Sequence, residues 1–122
     1  MGYGSKGIGE LCDDAFETAK SKGWHDVPMR GDDGHPLVER VIAQLALVVT
    51  EVAEAIEDAR HGKWDLTIGA GGKPEGFPSE LADTIIRIFN LCGSLDIPLE
   101  QAIRTKMLFN ATRPHRHGGK AL

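Results

Sequence analysis

Apolar residues recur at the three- and four-residue spacing of an amphipathic helix in four stretches of this chain, separated by segments rich in Gly and Pro. Ile8, Leu11, Cys12, Ala15, Phe16 and Ala19 predict a first helix from about Ile8 to Lys22, with Gly23 placed to end it. Trp24 to Pro36 reads as a loop. The longest pattern runs from Leu37 to His61 and is stopped by Gly62; its stripe is Val38, Val41, Ile42, Leu45, Val48, Val49, Val52 and Ile56. So wide a stripe predicts a helix covered on most sides. Lys63 to Pro78, with four glycines, is expected to be a second loop, serving as a lid or crossover. Pro78 and Ser79 mark the start of a third helix, with Ser79 as its N-cap, and Leu81, Ala82, Ile85, Ile86, Ile88, Phe89 and Cys92 carry it to Gly93. Pro98 opens a last helix, Leu99 to about Ala111, which Pro114 stops. Residues 1–9 are expected to fray and residues 112–122 to form an irregular basic tail. No strand is expected. The sum is one all-α domain over residues 1–122, a bundle of four helices.

Composition narrows the possibilities only a little. A net charge of −4 argues against binding a nucleic-acid polymer with the general surface. Cys12 and Cys92 are far apart and lack the spacing of a zinc site, so both are read as reduced thiols, with Cys92 packed in a core. No basic region followed by an apolar stretch opens the chain, and no apolar run is long enough for a bilayer. A cytoplasmic protein without a membrane segment is the expectation.

The chemistry concentrates in two acidic pairs. Glu51 and Glu54 in T-E-V-A-E-A-I-E-D, and Glu80 and Asp83 in S-E-L-A-D-T, each stand three residues apart inside an apolar run. Residues at that spacing share a helix face, close here to the buried side. Carboxylates turned toward a core are costly unless a cation receives them. An all-oxygen set favours Mg²⁺, with Mn²⁺ as the substitute. Di-iron bundles place a His three residues after a ligand Glu, but here those positions hold Glu54 and Asp83. Asp58, four residues after Glu54, stands on or near the same stripe. The ordinary alternative is a set of solvated helix charges, and Arg87 is placed to pair with Asp83 at i+4. The G-A-G-G-K-P run of the second loop is no phosphate loop, because Lys73 is followed by Pro and no strand precedes it.

Lys106, Asn110 and Arg113 fall on one face of the last helix and suit phosphate and base or sugar. Trp24 is the candidate for stacking on a base, and Trp64 is the second, although covering a helix end is the stronger reading for each ring. His25, His35 and His61 are expected in solvated or capping roles, with a lesser prospect of substrate contact for His25 and His35. His115 and His117 would assist phosphate binding from the tail.

Taken in order, Glu51-x-x-Glu54, Glu80-x-x-Asp83 and Lys106-x-x-x-Asn110-x-x-Arg113 resemble the MazG-like branch of the all-α nucleoside triphosphate pyrophosphohydrolases, over roughly Leu37 to Lys120. That superfamily also holds dimeric dUTPases and dCTP pyrophosphatases. Many relatives carry a third acid directly before the first motif Glu; Thr50 stands there, so no role passes to it. The resemblance implies hydrolysis of a (d)NTP to (d)NMP and pyrophosphate, in nucleotide-pool housekeeping. It implies Mg²⁺ held by Glu51, Glu54, Glu80 and Asp83, with Glu54 and Glu51 as catalytic groups. Lys106, Asn110 and Arg113 would then bind substrate, in a homodimer or homotetramer with sites near subunit contacts. The competing readings are a non-catalytic acidic module that binds metal or nucleotide, and a helical oligomerisation protein.

Overall fold

The computed structural model describes residues 2–114. Four α-helices account for most of them: α1 (Ile8–Ser21), α2 (Val38–Arg60), α3 (Phe77–Ser94) and α4 (Leu99–Thr112). The helical spacing of apolar residues was therefore a sound guide to the class, which is all-α. Two glycines end helices as expected. Gly23, at φ 81, follows the cap of α1, and Gly62, at φ 69, follows that of α2. Both lie in the left-handed region that a side chain disfavours.

The second loop is more structured than expected. Thr67–Ile68 (β1) and Pro74–Glu75 (β2) form a short antiparallel hairpin, with Thr67 opposite Glu75 and Ile68 opposite Pro74. A turn of 3₁₀-helix, Ala70–Gly72, closes its tip, and Gly69 N donates to Lys73 O at 2.7 Å. Two residues per strand are too few for an alternating pattern to register in the sequence.

The start of α3 also differs from the sequence expectation. Gly76, not Ser79, is the N-cap. Gly76 adopts φ 104 with its α-carbon against the Asp65 backbone, and Phe77 N donates to Lys63 O at 2.8 Å. This docking onto the loop sets the helix entry ahead of Ser79, whose hydroxyl instead donates to Pro74 O. At the other end Gly93 does not end the helix. It lies in the last turn, where the Phe16 ring of α1 packs on its bare α-carbon, and the left-handed position falls at Asp96.

Packing centres on α3, which lies between α1 and α2. The core joins Cys12 of α1 to Phe89 and Cys92 of α3, with Leu11, Ala15, Ile88 and Leu99 around it. Both thiols are buried and free, as expected, and Cys12 Sγ donates to Phe89 O. The loop after α1 is tied down by arginines: Arg30 donates to Gly34 O and Leu95 O, and Arg40 donates to Pro28 O. These bonds hold Trp24 and His25 beside α3, and the His25 ring lies 4.6 Å from that of Phe16.

One expectation fails clearly. α2 is not covered on most sides: it packs on α3 through one face and buries only Glu51 and Ala55. Val38, Ile42, Leu45, Val49, Val52 and Ile56 are all exposed. Periodicity identifies the side a helix prefers to cover, but not what covers it. α4 buries none of its residues. It packs chiefly on α1, where Gly9 N donates to the Glu100 carboxylate, and leaves Met107, Leu108 and Phe109 exposed.

Candidate metal centre

α2 and α3 bring the two acidic motifs together. Glu51, Glu54 and Glu80 each offer a carboxylate oxygen within 4.8 Å of the others. Glu51 is buried, Glu80 is half-buried and Glu54 is exposed, so the cluster runs from the helix interface out to solvent. Asp83, the fourth predicted ligand, stands outside this triplet. It is near enough that the Glu51 charge, after burial, raises its pKa, while Arg87 and Lys73 act in the opposite direction.

The electrostatics are those of a site short of positive charge. Burial first, then the adjacent Glu54 carboxylate, and then Asp83 and Asp58 push the Glu80 carboxyl up to about 7. Glu80 Oε2 is buried with no hydrogen-bond partner among the described residues. A like charge held close opposes ionisation of the Glu80 carboxyl. A divalent cation would relieve this repulsion and serve the orphaned oxygen. Three carboxylates without nitrogen or sulfur suit a hard ion such as Mg²⁺ or Mn²⁺. The residues present therefore fit the ion that the motifs imply.

Arg87 is not paired as its spacing suggested. Instead of turning back to Asp83 one turn away, it crosses to α2, and its Nε donates to Glu51 Oε1 at 2.7 Å. The pair is largely shielded, which strengthens the cross-helix contact relative to an exposed i,i+4 pair.

One cavity borders the acids and another borders Arg87. The first, of about 500 Å³, is bounded by Asp58 and Glu80 together with Lys63, Trp64, Lys73 and Glu75 of the hairpin loop. The Trp64 ring is fixed edge-on against Phe77, 5.4 Å between centroids. Lys63 and Lys73 thus share a cavity with Glu80, a placement that sequence reasoning missed because the loop positions they occupy follow no period. The other, of about 340 Å³, lies on the far side of Arg87 and is lined by Trp24, His25, Gln44, Leu47, Arg87 and Asn90.

The remaining predicted residues fall elsewhere. Lys106 and Arg113 lie over the Phe109 ring of their own helix, at 5.8 and 5.5 Å from its centroid. Neither they nor Asn110 lines either of these cavities. Trp24 reaches the second cavity and has the Arg87 guanidinium 5.9 Å from its ring. His61 caps its helix through Glu57 O, and His35 is exposed at a turn. His25 is half-buried, and burial, with Lys20, lowers its pKa. His115 and His117 lie outside the described residues. Among the described residues no helix is long and apolar enough to cross a membrane.

Comparison with protein-family models, with curated proteins and with solved structures gives no match.

Proposed function

We propose that this chain is a Mg²⁺-dependent nucleoside triphosphate pyrophosphohydrolase of the MazG-like type, cleaving a (d)NTP to (d)NMP and pyrophosphate. The observation that carries the reading is the meeting of Glu51, Glu54 and Glu80, from two separate helices, with their oxygens within 4.8 Å. Glu51, Glu54 and Glu80 would hold the ion, and Asp83 stands beside them. Bound there, Mg²⁺ supplies Lewis acidity toward the triphosphate oxygens and lowers the pKa of a water near the α-phosphorus. Glu54, the exposed member, takes the proton of that water. The water oxygen bonds to the α-phosphorus, the bond from that phosphorus to the α–β bridging oxygen breaks, and pyrophosphate departs. Lys63 and Lys73, in the cavity against Glu80, neutralise the departing charge.

The exposed apolar faces of α2 and α4 support assembly into a homodimer or homotetramer, since patches of this kind commonly mark contacts between chains. We assign Lys106, Asn110 and Arg113, beside Met107 and Leu108 on α4, to the site of a neighbouring copy.

The test is pyrophosphate release from a panel of NTPs and dNTPs with Mg²⁺, against a Glu54→Gln control. Release by the native chain alone supports the proposal. No release above the control overturns it. In that event, a melting temperature still raised by Mg²⁺ would mark a non-catalytic metal-binding module.

A further inference from the structure

We infer that the cavity lined by Trp24, His25, Gln44, Leu47, Arg87 and Asn90 seats the heterocyclic base of the substrate, with Trp24 as the stacking face and the Asn90 and Gln44 amides reading its edge. This rests on the pyrophosphohydrolase reading above and adds to it the place where specificity is set.

Asn90 is the central observation. It is 9% exposed, and its Oδ1 is buried with no hydrogen-bond partner among the described residues. A buried amide oxygen without a donor is uncommon, because desolvating it brings no return until something donates to it. His25, on the same cavity, has its Nε2 likewise buried without a partner among the described residues. Its imidazole is held toward the neutral form, so its ring nitrogens offer one donor and one acceptor. An amide and an imidazole left unserved at one cavity match a ligand whose edge carries both donors and acceptors.

The chemistry of the lining favours a base over a phosphate. Among the described residues Arg87 is the only cation on the cavity, and its Nε is engaged by Glu51 at 2.7 Å. The other groups are neutral amides, a neutral imidazole, Leu47 and an indole. Trp24 is 65% exposed, with ring area open for stacking. Base–aromatic stacking accepts any base, whereas the amides discriminate among edges.

The register of the two helices agrees. On α3, Asp83, Arg87 and Asn90 stand at i, i+4 and i+7; on α2, Gln44 and Glu51 are seven residues apart. Seven residues rise ~10 Å along a helix axis. Arg87 meets Glu51 while Glu80 meets Glu54, so the two helices run in opposite directions. Both amides therefore lie at one end of the shared face and the carboxylates at the other. A nucleotide laid along that face carries its base to the amides when its phosphates reach the acids.

The test uses the full chain with Mg²⁺ and three variants, Asn90→Leu, Gln44→Leu and Trp24→Ala. Two quantities are measured: kcat/KM across the NTP and dNTP panel, and calorimetric binding of inorganic tripolyphosphate. Asn90→Leu should lower kcat/KM for the preferred nucleotide about 100-fold and flatten the preference, because a site built to hydrogen-bond an edge loses that discrimination. Gln44→Leu should act in the same direction. Trp24→Ala should lower kcat/KM about tenfold for every nucleotide. Tripolyphosphate binding should be unchanged in all three. If the native chain hydrolyses nucleotides, its preference survives Asn90→Leu and its kcat/KM is unchanged in Trp24→Ala, the base lies elsewhere and the inference falls, while the hydrolase reading stands. If the native chain neither hydrolyses a nucleotide nor binds tripolyphosphate, the hydrolase reading falls and takes the inference with it. Should Asn90→Leu fail to fold, Trp24→Ala, on an exposed ring, decides.

Discussion

Replacing Glu80 with Gln should stabilise the protein above pH 7 and leave it unchanged below pH 4.5. The Glu80 carboxyl is moved from 4.5 to about 7 in the folded chain. Below 4.5 it is protonated in both the folded and the unfolded states and contributes no difference. As pH rises from 4.5 to 7 the unfolded chain releases this proton first, so folding is progressively opposed; above 7 the penalty is complete. Taken at face value, the displacement costs on the order of 3 kcal/mol. Water reaches this half-buried group, and screening reduces the figure to ~1–2 kcal/mol. Glu80→Gln keeps the shape and removes the charge, so at pH 8 in chelator it should raise Tm by ~4–8 °C for a chain of this size. The assay is thermal melting of both proteins at pH 4.5 and pH 8, with chelator and with Mg²⁺. The gap between them should close at pH 4.5. At pH 8, Mg²⁺ should raise the native Tm strongly and that of the variant weakly. A gap that is equal at both pH values, or a variant less stable at pH 8, refutes the reasoning, for then Glu80 is not strained by its acidic neighbours.

The other acids should separate by their partners. Asp83→Asn should abolish turnover with the fold retained, whereas Glu51→Gln should abolish turnover and also cost ~1–2 kcal/mol in a urea melt, because Arg87 loses a shielded carboxylate. Gly93→Ala should destabilise by ~1–3 kcal/mol, read as a lower urea midpoint, because the added methyl overlaps the Phe16 ring and forces α1 from α3. Burial raises the pKa of both Cys12 and Cys92, so in the native protein neither thiol should react with a thiol reagent at neutral pH. Both should react once urea unfolds the chain.

What could be read in advance was local. The E-x-x-E and E-x-x-D spacings needed only helical geometry to place each pair on one face, and Gly23 and Gly62 needed only their left-handed preference. The choices made between distant segments were not visible. Arg87 had Asp83 one turn away and took Glu51, thirty-six residues distant along the chain. Ser79 has the chemistry of a cap, yet the fit of Gly76 against Asp65 decided where α3 begins. Asn90 did leave a signal, an amide inside the apolar run R-I-F-N-L-C, but nothing local says that its oxygen is unserved. Lys63 and Lys73 left none, since only the hairpin fold carries them to Glu80.

The same rod that turns Glu51 toward α3 carries Val49, Val52 and Ile56 outward into water. A helix is too stiff for its two sides to move independently. On the reading proposed above, a second copy seated on that flank would steady the carboxylates behind it, and dilution that empties the flank should loosen the grip on the ion as well. Magnesium affinity followed against protein concentration would report both events on one curve.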